Sequence, residues 1–199
     1  MNSLSRSEFR KQIRHTRNAL PSDVQHQASI DLITQVSTQP ELIKSQHIAL
    51  YISADGELDT QPLIEWLWTQ DKQTYLPVLH PFSPGHLLFL HYNSTTPLTY
   101  NKYGIIEPKL NQTLVKPVSQ LDLIFTPLVA FDTQGQRLGM GGGYYDRTLS
   151  KWFETGKGAK PLGLAHDCQQ VERLPTESWD IPLPKIVTPS KTWQWEIHR

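Results

Sequence analysis

The 199 residues carry 19 lysines and arginines against 19 aspartates and glutamates, so no global field draws the chain toward nucleic acid or a membrane surface. Apolar content of 38% and aromatic content of 10% suit a globular protein rather than a disordered one, and with no low-complexity linker to divide it the chain reads as one domain, 1–199. The lone Cys168 excludes an intrachain disulfide framework and, without any CxxC spacing, points to a reducing compartment, the cytoplasm.

In chain order, MNSLSRSEFRKQIR has no apolar h-region, and no run of eighteen apolar residues follows anywhere, which disfavours secretion and membrane spanning. Ser5 or Ser7 can cap a first helix through Phe9 and Ile13 that Pro21 stops; Ser7 lacks a capping-box partner at Arg10. Ser22 opens a second helix carrying Ala28, Leu32, Ile33 and Val36, so two helices are predicted before the first strand. HIALYIS (47–53), a helix over PLIEWLWTQ capped by Asp59 or Thr60, and QTYLPVL (73–79) form a β-α-β unit, which requires a parallel pair. HLLFLHY reads as a further strand in a hairpin or excursion, and YGIIEPKL as a short strand end broken at Pro108. LDLIFTPLVAF (121–131) is the most continuously apolar run, as expected of a central strand buried on both faces and ending near Phe131. A helix beginning near Gly143 or Tyr144 carries Tyr145, Leu149 and Trp152 or Phe153; PLGLAH and KIVTP supply two last strands. The predicted fold is α/β, a three-layer sandwich with a central, mostly parallel sheet and helices on both faces.

Four of the eleven glycines fall within five positions of RLGMGGGYYDR (137–147), between a buried strand and a helix start. Ligands of open α/β sheets bind beyond the carboxyl ends of strands, where bare backbone approaches phosphate oxygens and successive N–H groups form an anion nest. The sequence meets neither GxxxxGK[ST] nor GxGxxG, and a tight turn without a ligand is the competing reading. Arg137 and Arg147 at the two ends, with Asp146 able to hold a magnesium ion, favour phosphate binding. Eight scattered histidines make no metal-ligating pair.

With RKQIR, YISADGELDT, LPVL, YGIIEP, PLVAFD, GLAHDCQ and WDIPL in the same order, RLGMGGGYYDR closely resembles the signature of the 5-formyltetrahydrofolate cyclo-ligase, or methenyltetrahydrofolate synthetase, family. The resemblance implies that ATP phosphorylates the formyl oxygen of 5-formyltetrahydrofolate, N10 attacks the activated carbon, and phosphate leaves to give 5,10-methenyltetrahydrofolate. It implies ATP contacts from Arg10, Lys11, Arg14, Arg137, Gly139, Gly141, Gly142, Gly143, Tyr144 and Tyr145, with Arg137 and Tyr145 catalytic. Folate contacts fall on Ile52, Glu57, Tyr103, Met140, Gly141, Gly142, Gly143 and Tyr144, and Asp146 and Asp180 would hold Mg²⁺. Lysine is frequent in the family at Arg10 and tryptophan at Tyr103; an arginine turns a point contact into a forked one, and a tyrosine leaves a smaller stacking platform.

Each assignment has a plainer competitor: a solvated basic face for Arg10 and Arg14, a helix-initiating acid for Glu57, a core tyrosine for Tyr103, a dipole-matching carboxylate for Asp146. His166 reads as a strand-end residue and Cys168 as a small buried side chain. The expected partners are small molecules, ATP and a reduced folate, with no nucleic acid or membrane, acting on a monomer. A sugar-phosphate isomerase or CoA-transferase-like enzyme, and a nucleic-acid module built on RKQIRHTR, are the alternatives.

Overall fold

The structure, a computed structural model, describes residues 4–197; the first three residues of the segment read as lacking a targeting signal lie outside the described residues. Helix α1 (Arg6–Asn18) starts at Ser5, whose hydroxyl accepts from the Glu8 amide while the Glu8 carboxylate accepts from the Ser5 amide at 2.7 Å. The capping box that Ser7 cannot make is therefore complete two residues earlier. Helix α2 (Ser22–Ser37) follows, and then a third helix absent from the sequence reading, α3 (Pro40–Lys44), with proline in its first turn.

Strand β1 is only His47–Ala49, and α4 (Gln61–Thr69) leads to β2 (Gln73–Leu79), parallel to β1 as expected. At the start of α4, the Thr60 hydroxyl turns to the Tyr51 carbonyl at 2.5 Å, leaving Asp59 to accept from the Gln61 amide at 3.0 Å. β3 (Leu87–Tyr92) returns antiparallel in a hairpin, and β4 (Leu98–Tyr100) pairs with β5 (Ile106–Pro108) in a separate ribbon. β6 (Val115–Lys116) closes one sheet edge.

The apolar run 121–131 does not form one strand. β7 (Leu123–Pro127) ends at a proline, which has no N–H to continue the ladder, and β8 (Ala130–Phe131) leaves the sheet to pair with β9 (Arg137–Leu138). After α5 (Tyr144–Thr155) come β10 (Lys160–Leu164), β11 (Lys185–Val187) and an unpredicted antiparallel edge, β12 (Thr192–Gln194).

The eight-stranded sheet runs β12-β11-β10-β7-β1-β2-β3-β6, with β11 through β2 parallel, so β7 is central as predicted. Side chains alternate between its faces. Ile48, Leu123, Phe125, Leu162 and Val187 pack under Leu32 and Val36 of α2 and Leu63, Ile64 and Leu67 of α4. Ala49, Ile124 and Ile186 meet Leu149 and Trp152 of α5 on the opposite face. Helix α1 lies outside both layers, seating Ile13 on Val129, Ala130, Leu138 and Leu174, just past the carboxyl end of β7. No helix among the described residues is long and apolar enough to cross a membrane.

Candidate active site

Three adjacent parallel strands, β10, β7 and β1, deliver their carboxyl-terminal loops to α1, where an open α/β sheet binds ligands. The loop after β1 turns at 54–57 with Asp55 at φ +53° and Gly56 at φ +70°, closed by the Glu57 amide on the Ala54 carbonyl at 3.0 Å. Two successive left-handed residues make the tight turn for which Asp-Gly is suited. A Cβ on Gly56 would sit 2.7 Å from Asn18 Oδ1, because α1 grips this turn. Arg14 forks onto the Asp55 carboxylate at 2.6 and 3.2 Å, and Asn18 donates to the Asp55 carbonyl at 3.1 Å.

Arg17 was not singled out in the sequence, yet it is wholly buried. Its Nε donates to the Asp55 carbonyl at 2.8 Å, Nη2 to the Asp55 carboxylate at 2.9 Å and Nη1 to the Leu128 carbonyl at 3.3 Å, with Nη2 3.9 Å from Glu57 Oε1. The magnitudes separate the two arginines. An exposed pair such as Arg14–Asp55 contributes about 0–1 kcal/mol. Stranding a buried charge by removing its partner costs about 3–5 kcal/mol.

The loop from Gly139 to Gly143 follows β9 and ends with Gly143, in the left-handed region at φ +65°, as the N-cap of α5. Gly141 adopts φ +102°, which only glycine reaches without strain. Among the described residues no hydrogen bond occupies the amides of 139–143, so they remain available beside the α5 N-terminus. Arg10 Nε donates to the Gly139 carbonyl at 2.8 Å, and Arg137, only 5% exposed, underlies the loop and gives Nη2 to Asp146 at 2.6 Å. Arg147, read as a phosphate-flanking arginine, instead donates to the carbonyls of Gly142 at 2.8 Å and Gly85 at 3.3 Å. It staples the loop to the β2–β3 hairpin.

Between these two loops, burial pushes the Glu57 carboxyl up to about 7 against the downward pull of Arg17. Burial, reinforced by Glu57, pushes the Tyr145 hydroxyl far above its ordinary range, so it stays protonated and acts as a donor. Arg137 Nε, Tyr145 Oη and His166 Nε2 are three of the four buried side-chain polar atoms without a partner among the described residues. Unsatisfied buried groups are costly, so three of them near Glu57 single out this region as a candidate site. The folded-state value of Glu57 exceeds its ordinary 4.5, so its contribution to stability is complete below about 4.5 and is lost as pH rises through about 7. Glu57→Gln is expected to flatten that slope, measured as denaturation midpoint against pH.

The remaining predicted residues lie around this centre. Tyr103, at 57% exposure no core tyrosine, meets Tyr144 edge-on with hydroxyls 3.1 Å apart, bringing the β4–β5 ribbon to the glycine loop. Met140 is exposed at the loop tip, and Ile52 is half-buried against the α2–α4 core. Lys11 is exposed and, with Arg10, Arg14, Asn18 and Asp55, lines a cleft of about 510 Å³. Asp180 accepts a fork from Arg6, a residue the sequence reading passed over; burial raises its carboxyl, but the Arg6 hydrogen bonds and charge leave it below the ordinary value. Asp146 accepts from Arg137 and from the Ile181 amide at 3.3 Å. The two carboxylates thus neighbour one another within arginine pairs.

These features give an α/β fold in which arginine-flanked backbone amides stand near a half-buried acid. The match to the 5-formyltetrahydrofolate cyclo-ligase family model extends over residues 2–189. The chain is 54% identical over 185 residues to the 5-formyltetrahydrofolate cyclo-ligase of Escherichia coli K12, covering 92% of this chain and all of that one. It is 52% identical over 187 residues to the Haemophilus influenzae enzyme of the same name, covering 94% and 99%. The Aquifex aeolicus 5,10-methenyltetrahydrofolate synthetase structure superposes with a TM-score of 0.80 at 32% identity, covering 98% of this chain and 94% of that one. The chain belongs to the 5-formyltetrahydrofolate cyclo-ligase family, which sets aside the isomerase and CoA-transferase alternatives.

Proposed function

We propose that the chain acts as one domain, 1–199, that uses ATP and Mg²⁺ to convert 5-formyltetrahydrofolate into 5,10-methenyltetrahydrofolate, with ADP and phosphate as the other products. One observation carries this reading: the amides of 139–143, which have no acceptor among the described residues, lie between Arg10 and Arg137 and adjoin Tyr145 and its neighbour Glu57. A polyphosphate and a folate held there would meet at the loop.

The residues fit both groups. The amide cup, the free Nε of Arg137 and the exposed Lys11 and Arg10 face of the cleft suit phosphate oxygens. For Mg²⁺ the fit is partial: Asp146 and Asp180 are engaged by Arg137 and Arg6 and no group of three or more metal-ligating side chains stands among the described residues, so an ion held by these two carboxylates would draw its other ligands from phosphate oxygens and water. The metal would neutralise charge developing on the transferred group.

An amide oxygen is a poor leaving group and its carbon a weak electrophile. Phosphorylation of the formyl oxygen answers both: the γ-phosphorus bonds that oxygen as ADP departs, N10 then bonds the formyl carbon to close the five-membered ring, and the C–O bond breaks to release phosphate as the N10 proton passes to phosphate or solvent. Arg137 holds the phosphoryl group in line, the Tyr145 hydroxyl donates to developing negative charge, and Glu57 in its ionised form accepts from pterin N–H groups. Ile52, Tyr103 and Met140 line the folate side, and Arg10, Lys11, Arg14 and Tyr144 the nucleotide side, in a cytoplasmic monomer.

Mixing the protein with 5-formyltetrahydrofolate, ATP and Mg²⁺ is expected to produce the ultraviolet absorbance of the conjugated methenyl product. Product that forms equally well without ATP, or not at all, would sink this reading. Folate affinity is expected to rise with pH through about 7 as Glu57 ionises. Glu57→Gln is expected to weaken folate binding roughly tenfold and abolish that dependence, read by titration calorimetry.

A further inference from the structure

The turn carrying Glu57 has two hydrogen bonds of its own, the Glu57 amide on the Ala54 carbonyl at 3.0 Å and the Ala54 amide on the Glu57 carboxylate at 3.1 Å, and neither ties it to the rest of the fold. Asp55 holds a left-handed conformation at φ +53° that costs a non-glycine residue free energy, and it persists only where its surroundings over-determine it. Those surroundings belong to α1. Asp55 lowers its carboxyl below the ordinary value chiefly through the hydrogen bond from Arg14, against the effect of burial and with help from Arg17 and Asn18. Arg14 and Asn18 are exposed, whereas Arg17 is wholly buried and is the member of the three that touches the turn, the β7–β8 connection and the Glu57 carboxylate together.

We propose that Arg17 is the positioning residue of the folate site: its buried guanidinium pins the Asp55–Gly56 turn to α1 and to the Leu128 carbonyl, fixing where Glu57 stands and its charge. This rests on the reading of Glu57 as the folate acceptor. One planar group donates to three acceptors in three directions and faces the Glu57 carboxylate besides, which the single point of a lysine cannot reproduce. Two consequences follow for the folate site. Glu57 moves relative to Tyr145 when the pin is lost, and its carboxyl loses the cation that opposes the effect of burial.

The test compares Arg17→Lys with Asp55→Gly. Glycine is at home at φ +53°, so the second variant keeps the turn and removes only the carboxylate that Arg17 and Arg14 grip. The folate affinity of Glu57→Gln tests the underlying reading independently of either variant. In both variants the folate KM is expected to rise about five- to twentyfold; in Arg17→Lys, which leaves Arg14 on Asp55, the ATP KM is expected to rise less than about twofold. In Arg17→Lys, which retains a cation but not its placement, the midpoint of the pH profile of folate binding is also expected to move upward.

Equal increases in both Michaelis constants in Arg17→Lys, or an unchanged folate KM in either folded variant, would overturn the proposal. Should Arg17→Lys fail to fold, Asp55→Gly decides alone: a raised folate KM supports the pin and an unchanged one refutes it.

Discussion

Arg137→Ala is expected to lower ATP-dependent turnover by about 100- to 1,000-fold, the loss found when a fixed donor to developing charge is deleted. The guanidinium lies beneath the glycine loop with one nitrogen on Asp146 and another free, and burial makes its charge hard to replace from solvent. Removing it also leaves Asp146 with the Ile181 amide as its other hydrogen-bond donor. Breaking that partly buried pair is expected to cost about 3 kcal/mol, hence roughly 6–12 °C in Tm for a chain of this size. The discriminating quantity is the ratio of effects: kcat falls by orders of magnitude while the folate dissociation constant, measured well below Tm, changes less than about threefold. A variant that binds folate poorly but still turns over would show that Arg137 serves the pterin rather than the phosphoryl group. Arg137→Lys is expected to fall between, since it keeps the charge but not both directions of donation.

How far this site was legible in the sequence depended on whether a local pattern encoded the interaction. The strand QTYLPVL and the start of α5 after the glycines follow from alternation and helical periodicity, and both stand where expected. The run 121–131 misleads because residues after Pro127 stay buried without staying in the sheet: the Leu128 and Val129 carbonyls accept from Gln169 Nε2 at 2.7 and 3.1 Å. Apolar composition reports burial, and the change of partner is invisible to it. β4 and β12 are three residues long and at least partly exposed, too short to show a period.

The glycine loop announced itself by composition, whereas the pairing of Arg6 with Asp180, 174 residues apart, has no local signature. Arg17 and Asp55 fall between these cases. Arg10, Arg14 and Arg17 are spaced four and three apart on one helical face, and Asp-Gly is a turn signal, so the residues that grip were visible. That they grip each other depended on α1 crossing the carboxyl ends of the strands, which the sequence pattern alone does not encode.

Gly141→Ala is expected to cut turnover at subsaturating ATP at least about 30-fold while leaving the fold intact. The substitution has room, since its Cβ would lie 3.6 Å from the Arg10 guanidinium, an ordinary contact. What it lacks is an allowed backbone: at φ +102° an alanine is strained by about 1–3 kcal/mol, which the exposed loop relieves by rotating its peptides. Rotation turns the amides of 139–143 away from one another and dissolves the cup. Strain by itself has a control in Gly158, at φ +99°, with open space around it, ahead of β10 at the opposite end of the sheet. Gly158→Ala should lose a similar amount of stability in urea denaturation and keep wild-type activity. Only if the two variants match in stability and differ in ATP turnover does the loss belong to the direction of the amides; equal activities would mean that the loop's conformation contributes nothing to phosphate binding.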